Sequence, residues 1–196
     1  MWNDLLARIN TIDLVMAVVL VRAIYIGLAE GFVVEVFKLL GTFLATFIVL
    51  HYYFSFAVFS QGFVPLPLPS LEFLSFVLLW FWMTALFAIV RSGWMLGFKT
   101  DKKTPLIRLL GGCLSIPRAI LTAGLIFMLI FVSGNKALDV GARKSLAGFY
   151  FLEVSSDLYR YIYDQAVART FPSEKKNAQL FEMLKKSKKD SLKVAP

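Results

Sequence analysis

A chain of 196 residues that is 58% hydrophobic and only 17% charged is too apolar for an ordinary soluble domain, where about 45–50% apolar and about 25% charged residues are usual. A body this small leaves much of its surface exposed, so the excess cannot all enter one core, and its gathering into long runs points to lipid. The net charge of +8 sits in loops and in the C-terminal tail, where topology signalling and attraction to anionic lipid headgroups account for it without nucleic acid.

One cysteine, Cys113, allows no intrachain disulfide, and one histidine, His51, argues against a His/Cys metal site. Met1 to Thr11 lacks a basic stretch followed by a small-residue cleavage site, so the first apolar run is expected to be retained as a span.

That first run, Ile12 to about Leu28, opens on Asp13, and acids are favoured at helix starts. Arg22 interrupts it. A charge in mid-span costs roughly 2.5–3.5 kcal/mol on insertion scales, so Arg22 is expected to face protein or to snorkel to an interface. The second run, Phe32 to about Phe54, lies in a stretch with no formal charge between Lys38 and Glu72. His51, Tyr52 and Tyr53 stand near its end, where an interfacial aromatic belt belongs. Pro65, Pro67 and Pro69 then read as a loop over Ser55 to Ser70, because alternating prolines cannot extend a helix.

Leu71 to Gly97 is the third span, uncharged from Phe73 to Val90. The basic loop Lys99 to Pro105 follows. Leu106 to Val132 carries Pro117 and Arg118 in its middle. It reads either as one kinked span or as an interfacial half-helix over 106–116 followed by a span.

Lys144 to Phe171 reads as an amphipathic helix, with Phe151, Val154, Leu158, Tyr161 and Ile162 opposite Glu153, Asp157, Arg160 and Asp164. It is too polar to span, and its aromatics suit the bilayer surface or packing on the bundle. From Pro172 the tail has seven lysines and reads as solvated and disordered. The expected fold is therefore an all-α integral membrane protein. It has a four-helix membrane domain over 1–141, an amphipathic interfacial helix over 142–171 and a Lys-rich tail over 172–196. Lys99, Lys102 and Lys103 lie close to span ends, so the positive-inside rule puts that loop in the cytoplasm and both termini outside.

Two polar faces stand out. Gly31, Glu35, Lys38, Thr42 and Ala45 share one face of the second helix at steps of three and four, and Gly111, Ser115, Arg118 and Thr122 share one face of the fourth. Small residues let membrane helices approach, and polar ones need a partner inside the bundle. One reading is packing plus an internal salt bridge, such as Glu35 with Arg118. The other is a polar pathway or solute site lined by Glu35, Lys38, Thr42, Ser115 and Arg118. Gly27, Gly31, Gly41 and Gly111 serve the turn and helix packing, with Gly27 and Gly31 shaping the turn itself. Cys113 is expected to fill space in its helix. No phosphate loop, zinc-protease motif or nucleophile elbow is present, so neither an enzyme nor a cofactor is expected.

The ordered set Gly27-x3-Gly31-Phe32-x2-Glu35-x5-Gly41, Leu106-Ile-Arg-Leu-Leu-Gly-Gly with Arg118, Asp13 before the first span, and Lys144-Ser145 before an aromatic helix resembles the colicin V production protein (CvpA) family over roughly Thr11 to Tyr163. Glu30 and Val34 stand where basic residues are usual in that family, and Ile107 replaces an acid. The resemblance implies a bacterial inner-membrane protein linked to toxin production or export and to envelope upkeep, with no established catalytic residues. A small channel-like homo-oligomer is one form this takes. The other is an anchored adaptor whose C-terminal helix and basic tail recruit a protein partner.

Overall fold

The computed structural model describes residues 11–97, 104–134, 141–142, 145–170, 174, 176–183 and 185, with the side chains of 95–97 and 146–149 left aside. All regular structure among them is helical. Helix α1 is Thr11–Glu30, α2 Phe32–Gln61, α3 Leu68–Gly97, α4 Pro105–Val132 and α5 Leu146–Ile162. The first four are long and apolar enough to cross a membrane. At about 1.5 Å per residue, even the 20 residues of α1 match a hydrocarbon core of about 30 Å.

Helix boundaries follow local chemistry. Gly31 separates α1 from α2 with φ +90°, a left-handed value that glycine adopts without steric cost. Helix α2 runs on to Gln61 rather than ending near Phe54. Residues 55–61 hold no glycine or proline to stop it, and the break comes only at Gly62 and the prolines that follow. Pro69 lies in the first turn of α3, where a missing N–H costs nothing.

Helix α4 is one continuous helix through Pro117, so residues 106–116 belong to the same element as the residues after them. Pro105 starts it at a first-turn position. The basic loop over 99–103 lies outside the described residues, and so does the expected assignment of its side of the membrane.

Packing order differs from chain order. Helix α4 lies between α1 and α2, and α2 lies between α4 and α3. The four form a row α1–α4–α2–α3, with α5 laid across α4 and α2. Half of the apolar window of α4 is buried, against 11% of that of α3, so the outer helices present most of their surface outward. Arg22 is exposed on α1, off the inward face made by Met16, Ala23 and Gly27. Cys113 is exposed too, not packed inside. One core cluster joins Leu50 and Tyr53 of α2, Phe76 of α3, Leu125 and Met128 of α4, and Leu152 and Tyr159 of α5. A second joins Met16, Ala123, Phe127, Ala142 and Phe151.

The inward stripe of α5 is Leu152, Ser155 and Tyr159, continued by Tyr163 in a single π-helical turn, Tyr163–Val167. Tyr161, expected on that face, is 64% exposed. The stripe shifts because Ser155 lies against Gly124 of α4, and a small pair brings the helices close.

The segment after α5 also departs from expectation. Residues 178–183 are helical, and Leu180 is fully buried in the first core cluster. A solvated tail beginning at Pro172 is therefore corrected to a packed strap over the described residues 174 and 176–183. Most of the remaining lysines fall in 186–196, outside the described residues.

Candidate functional site

Glu35 sits in the first turn of α2, where helix N-termini favour negative charge. Its backbone N–H donates to the Gly31 carbonyl at 3.2 Å, so the turn fixes where the side chain starts. The residue is fully buried. Arg118 of α4 donates from Nε to Glu35 Oε1. Its Nη2 lies 3.5 Å from the Ala23 carbonyl of α1, so this one guanidinium touches three helices. Glu35 Oε2 is buried with no hydrogen-bond partner among the described residues.

Two more cations stand beside it. Lys38, one turn further along α2, lies 2.6 Å from Glu30 at the end of α1. Arg91 of α3 lies 3.9 Å from the same carboxylate oxygen. Lys38, Arg91 and Arg118 all line one cavity of about 250 Å³, together with Thr42 and Thr84. The Thr42 hydroxyl donates to the Lys38 carbonyl at 2.9 Å, and Thr84 donates back to Phe81 at 2.9 Å. Each leaves oxygen lone pairs for an incoming donor.

The structure thus gathers Glu35, Lys38, Thr42 and Arg118 in and behind one cavity. Ser115 is elsewhere. It is fully buried on the α1–α4 seam and donates to the Gly112 carbonyl at 2.6 Å. Gly27 is also on that seam, inside α1, so shaping the turn falls to Gly31 alone. A Cβ on Gly27 would stand 2.6 Å from the Gly111 carbonyl oxygen. Gly41 packs against Phe87, where a Cβ would lie at 2.8 Å. Sequence reasoning missed Arg91 as part of the site and noted Glu30 only as a departure. Arg91 is the first charge after the uncharged run of α3, the one signal that could have marked it.

A second polar cluster lies near the far end of α2. His51, expected in an interfacial aromatic belt, is 5% exposed and buried beneath the strap. Tyr159 Oη is 2.9 Å from His51 Nδ1 and accepts from the Asn177 backbone N–H at 3.0 Å. Burial pushes the Tyr159 phenol up to about 12, against the opposing effect of the Asn177 hydrogen bond. His51 Nε2 lies 3.1 Å from Glu174 Oε1, so the imidazole bridges Tyr159 of α5 and Glu174 of the strap. Asn177 closes the strap: its side-chain nitrogen donates to the Leu50 carbonyl at 2.8 Å, and its oxygen accepts from Leu180 N–H at 3.2 Å. The second bond is a helix N-cap. Gln179 adds a bond to Glu72 of α3 at 3.0 Å. Near the start of α1, Ser145 donates to Asp13, tying the entry of α5 to the first helix.

No group of three or more His, Cys, Asp or Glu with metal-site geometry occurs among the described residues. No curated protein and no solved structure matches the chain. A family model does match, that of the colicin V production protein, over residues 12–156. This range holds α1 to α4, the Gly31 turn, the Glu35–Arg118 pair and most of α5, and it is not a family known for enzymes. The chain is a membrane protein that belongs to the colicin V production protein family.

Proposed function

We propose that the protein is a non-enzymatic, multi-pass protein of the bacterial inner membrane. It supports toxin production or export, or the upkeep of the envelope, through a polar pathway centred on Glu35 and Arg118. The observation that carries this reading is the position of a buried Glu35 behind a cavity lined by Lys38, Arg91 and Arg118. Intramembrane charges are costly and mark solute or ion pathways when they face a cavity. The sparsely covered outer helices α1 and α3 supply surfaces on which copies of the chain would meet in a channel-like oligomer.

The test is flux through purified protein in liposomes, together with the cell phenotype of Glu35→Ala and Arg118→Ala. Flux by the parent protein that both variants lose supports the pathway. No flux, with the phenotype intact in both variants, overturns it.

The adaptor reading draws on the outward face of α5, where Asp157 and Arg160 are both more than half exposed. Because the strap and α5 are part of the core, their deletion would expose apolar surface and confuse the outcome. Reversing Asp157 and Arg160 on the intact bundle is the cleaner discriminator. Loss of phenotype without loss of flux favours the adaptor.

A further inference from the structure

We infer that the cavity between α2, α3 and α4 binds a phosphate group, held by Lys38, Arg91 and Arg118. The inference deepens the pathway reading by naming the chemical class that the cavity takes, and it rests on the same site. Among the described residues, three cations and two carboxylates, Glu30 and Glu35, meet there, leaving one positive charge uncompensated. Their side chains are only 20%, 28% and 16% exposed for Lys38, Arg91 and Arg118. A net charge in a poorly solvated place favours a counter-anion.

The donors are arranged for an oxyanion. Arg118 spends Nε on Glu35 and only a long contact at 3.5 Å on Ala23. Arg91 reaches Glu30 at 3.9 Å, beyond hydrogen-bond range. Both guanidinium forks therefore keep N–H groups without acceptors among the described residues, and such forks match phosphate oxygens in pairs. Glu30 already sets one carboxylate oxygen 2.6 Å from Lys38 and 3.9 Å from Arg91, so this pair of cations accommodates an oxyanion.

Depth agrees. Lys38 and Arg91 each stand six residues in from a helix end, Phe32 and Gly97, or about 9 Å along the axis. Phe37 and Phe87 give the cavity an apolar wall. A phosphate reaches this place either as a lipid headgroup from the nearby leaflet or as a free ion from the aqueous side.

The test uses the full chain, delipidated in maltoside micelles. One arm titrates radiolabelled inorganic phosphate by equilibrium dialysis. The other titrates dioleoylphosphatidylglycerol, read by native mass spectrometry. Binding in the first arm identifies the free ion, and binding in the second alone identifies the headgroup.

In whichever arm binds, Arg91→Gln should weaken affinity about tenfold, the worth of one charge-assisted hydrogen bond. Glu30→Gln removes the competing carboxylate and should strengthen it several-fold, a gain that misfolding cannot mimic. Absence of binding in both arms, or affinities unchanged in both variants, overturns the inference. Binding without flux refutes the pathway alone, and flux without binding refutes the ligand alone.

Discussion

Arg118 of α4 and Glu35 of α2 form an ion pair in which the acid is fully buried and the guanidinium also reaches the backbone of α1 at Ala23. Breaking one side of such a pair strands the other charge, whereas replacing both can be close to neutral. We expect Arg118→Met alone to cost about 3–5 kcal/mol. Adding Glu35→Gln should recover at least half of that loss. Thermal unfolding of the two single variants and the double variant in detergent, treated as a double-mutant cycle, measures it.

The α1–α4 seam is a backbone contact. A Cβ on Gly111 would run into the Gly27 carbonyl and the backbone of Gly31, and no side-chain rotation relieves a clash with backbone. Gly111→Ala should destabilise the protein by about 1–3 kcal/mol or more. Gly93→Ala is the matched control, since nothing lies within 4 Å of a Cβ there. In α3 it should be neutral or stabilise by up to about 1 kcal/mol through helix propensity. Melting temperatures of both, compared with the parent, decide the matter.

The strap supplies two further substitutions. Leu180 is fully buried, so Leu180→Ala should cost about 2–5 kcal/mol locally. Asn177→Ala removes both the cap and the bond to the Leu50 carbonyl, worth about 1–2 kcal/mol together. Hydrogen exchange should show protection falling over 176–183 in both variants while α2 to α4 keep theirs. Uniform loss across the bundle would contradict a locally docked strap.

Tyr159 gives a pH dependence. Its phenol ionises near 10 in an unfolded chain and is pushed up to about 12 in the fold, first by burial. The fold therefore favours the protonated form. The stabilisation it brings is fully present below pH 10 and is lost as pH rises through about 12. The tyrosinate absorbance that Tyr159→Phe removes should titrate near 12; a midpoint at 10 would count against burial of the phenol.

The four long helices were legible from sequence because lipid demands uncharged runs of about 20 residues, and nothing else in a short chain produces them. The polar face of α2 was legible for a similar reason. Glu35, Lys38 and Thr42 recur at helical steps in a region where each polar group needs a partner. Arg91 was hidden because it looks like an ordinary charge at a helix end, and only the fold brings it to Glu30. Helical spacing sets Tyr161 on the apolar face with Phe151, Val154 and Leu158, while the actual stripe runs through Ser155, whose value lies in letting α5 approach Gly124. The strap was illegible because Asn177 and Leu180 sit among lysines that set the local composition. Their partners, Leu50 and Tyr159, are distant in the chain.

The row α1–α4–α2–α3 has a consequence for biogenesis. Helices α1 and α2 are consecutive yet scarcely touch, and the neighbour that seats α1 is α4, the last of the four to leave the ribosome. Helix α1 must therefore wait in the bilayer, with its inward face of Met16, Ala23 and Gly27 uncovered, until α4 is inserted beside it. Assembly is completed after synthesis of the membrane domain, and α4 acts as its keystone. A nascent chain stalled before Pro105 would hold three inserted helices and no closed body, and would be the form most open to quality-control proteolysis.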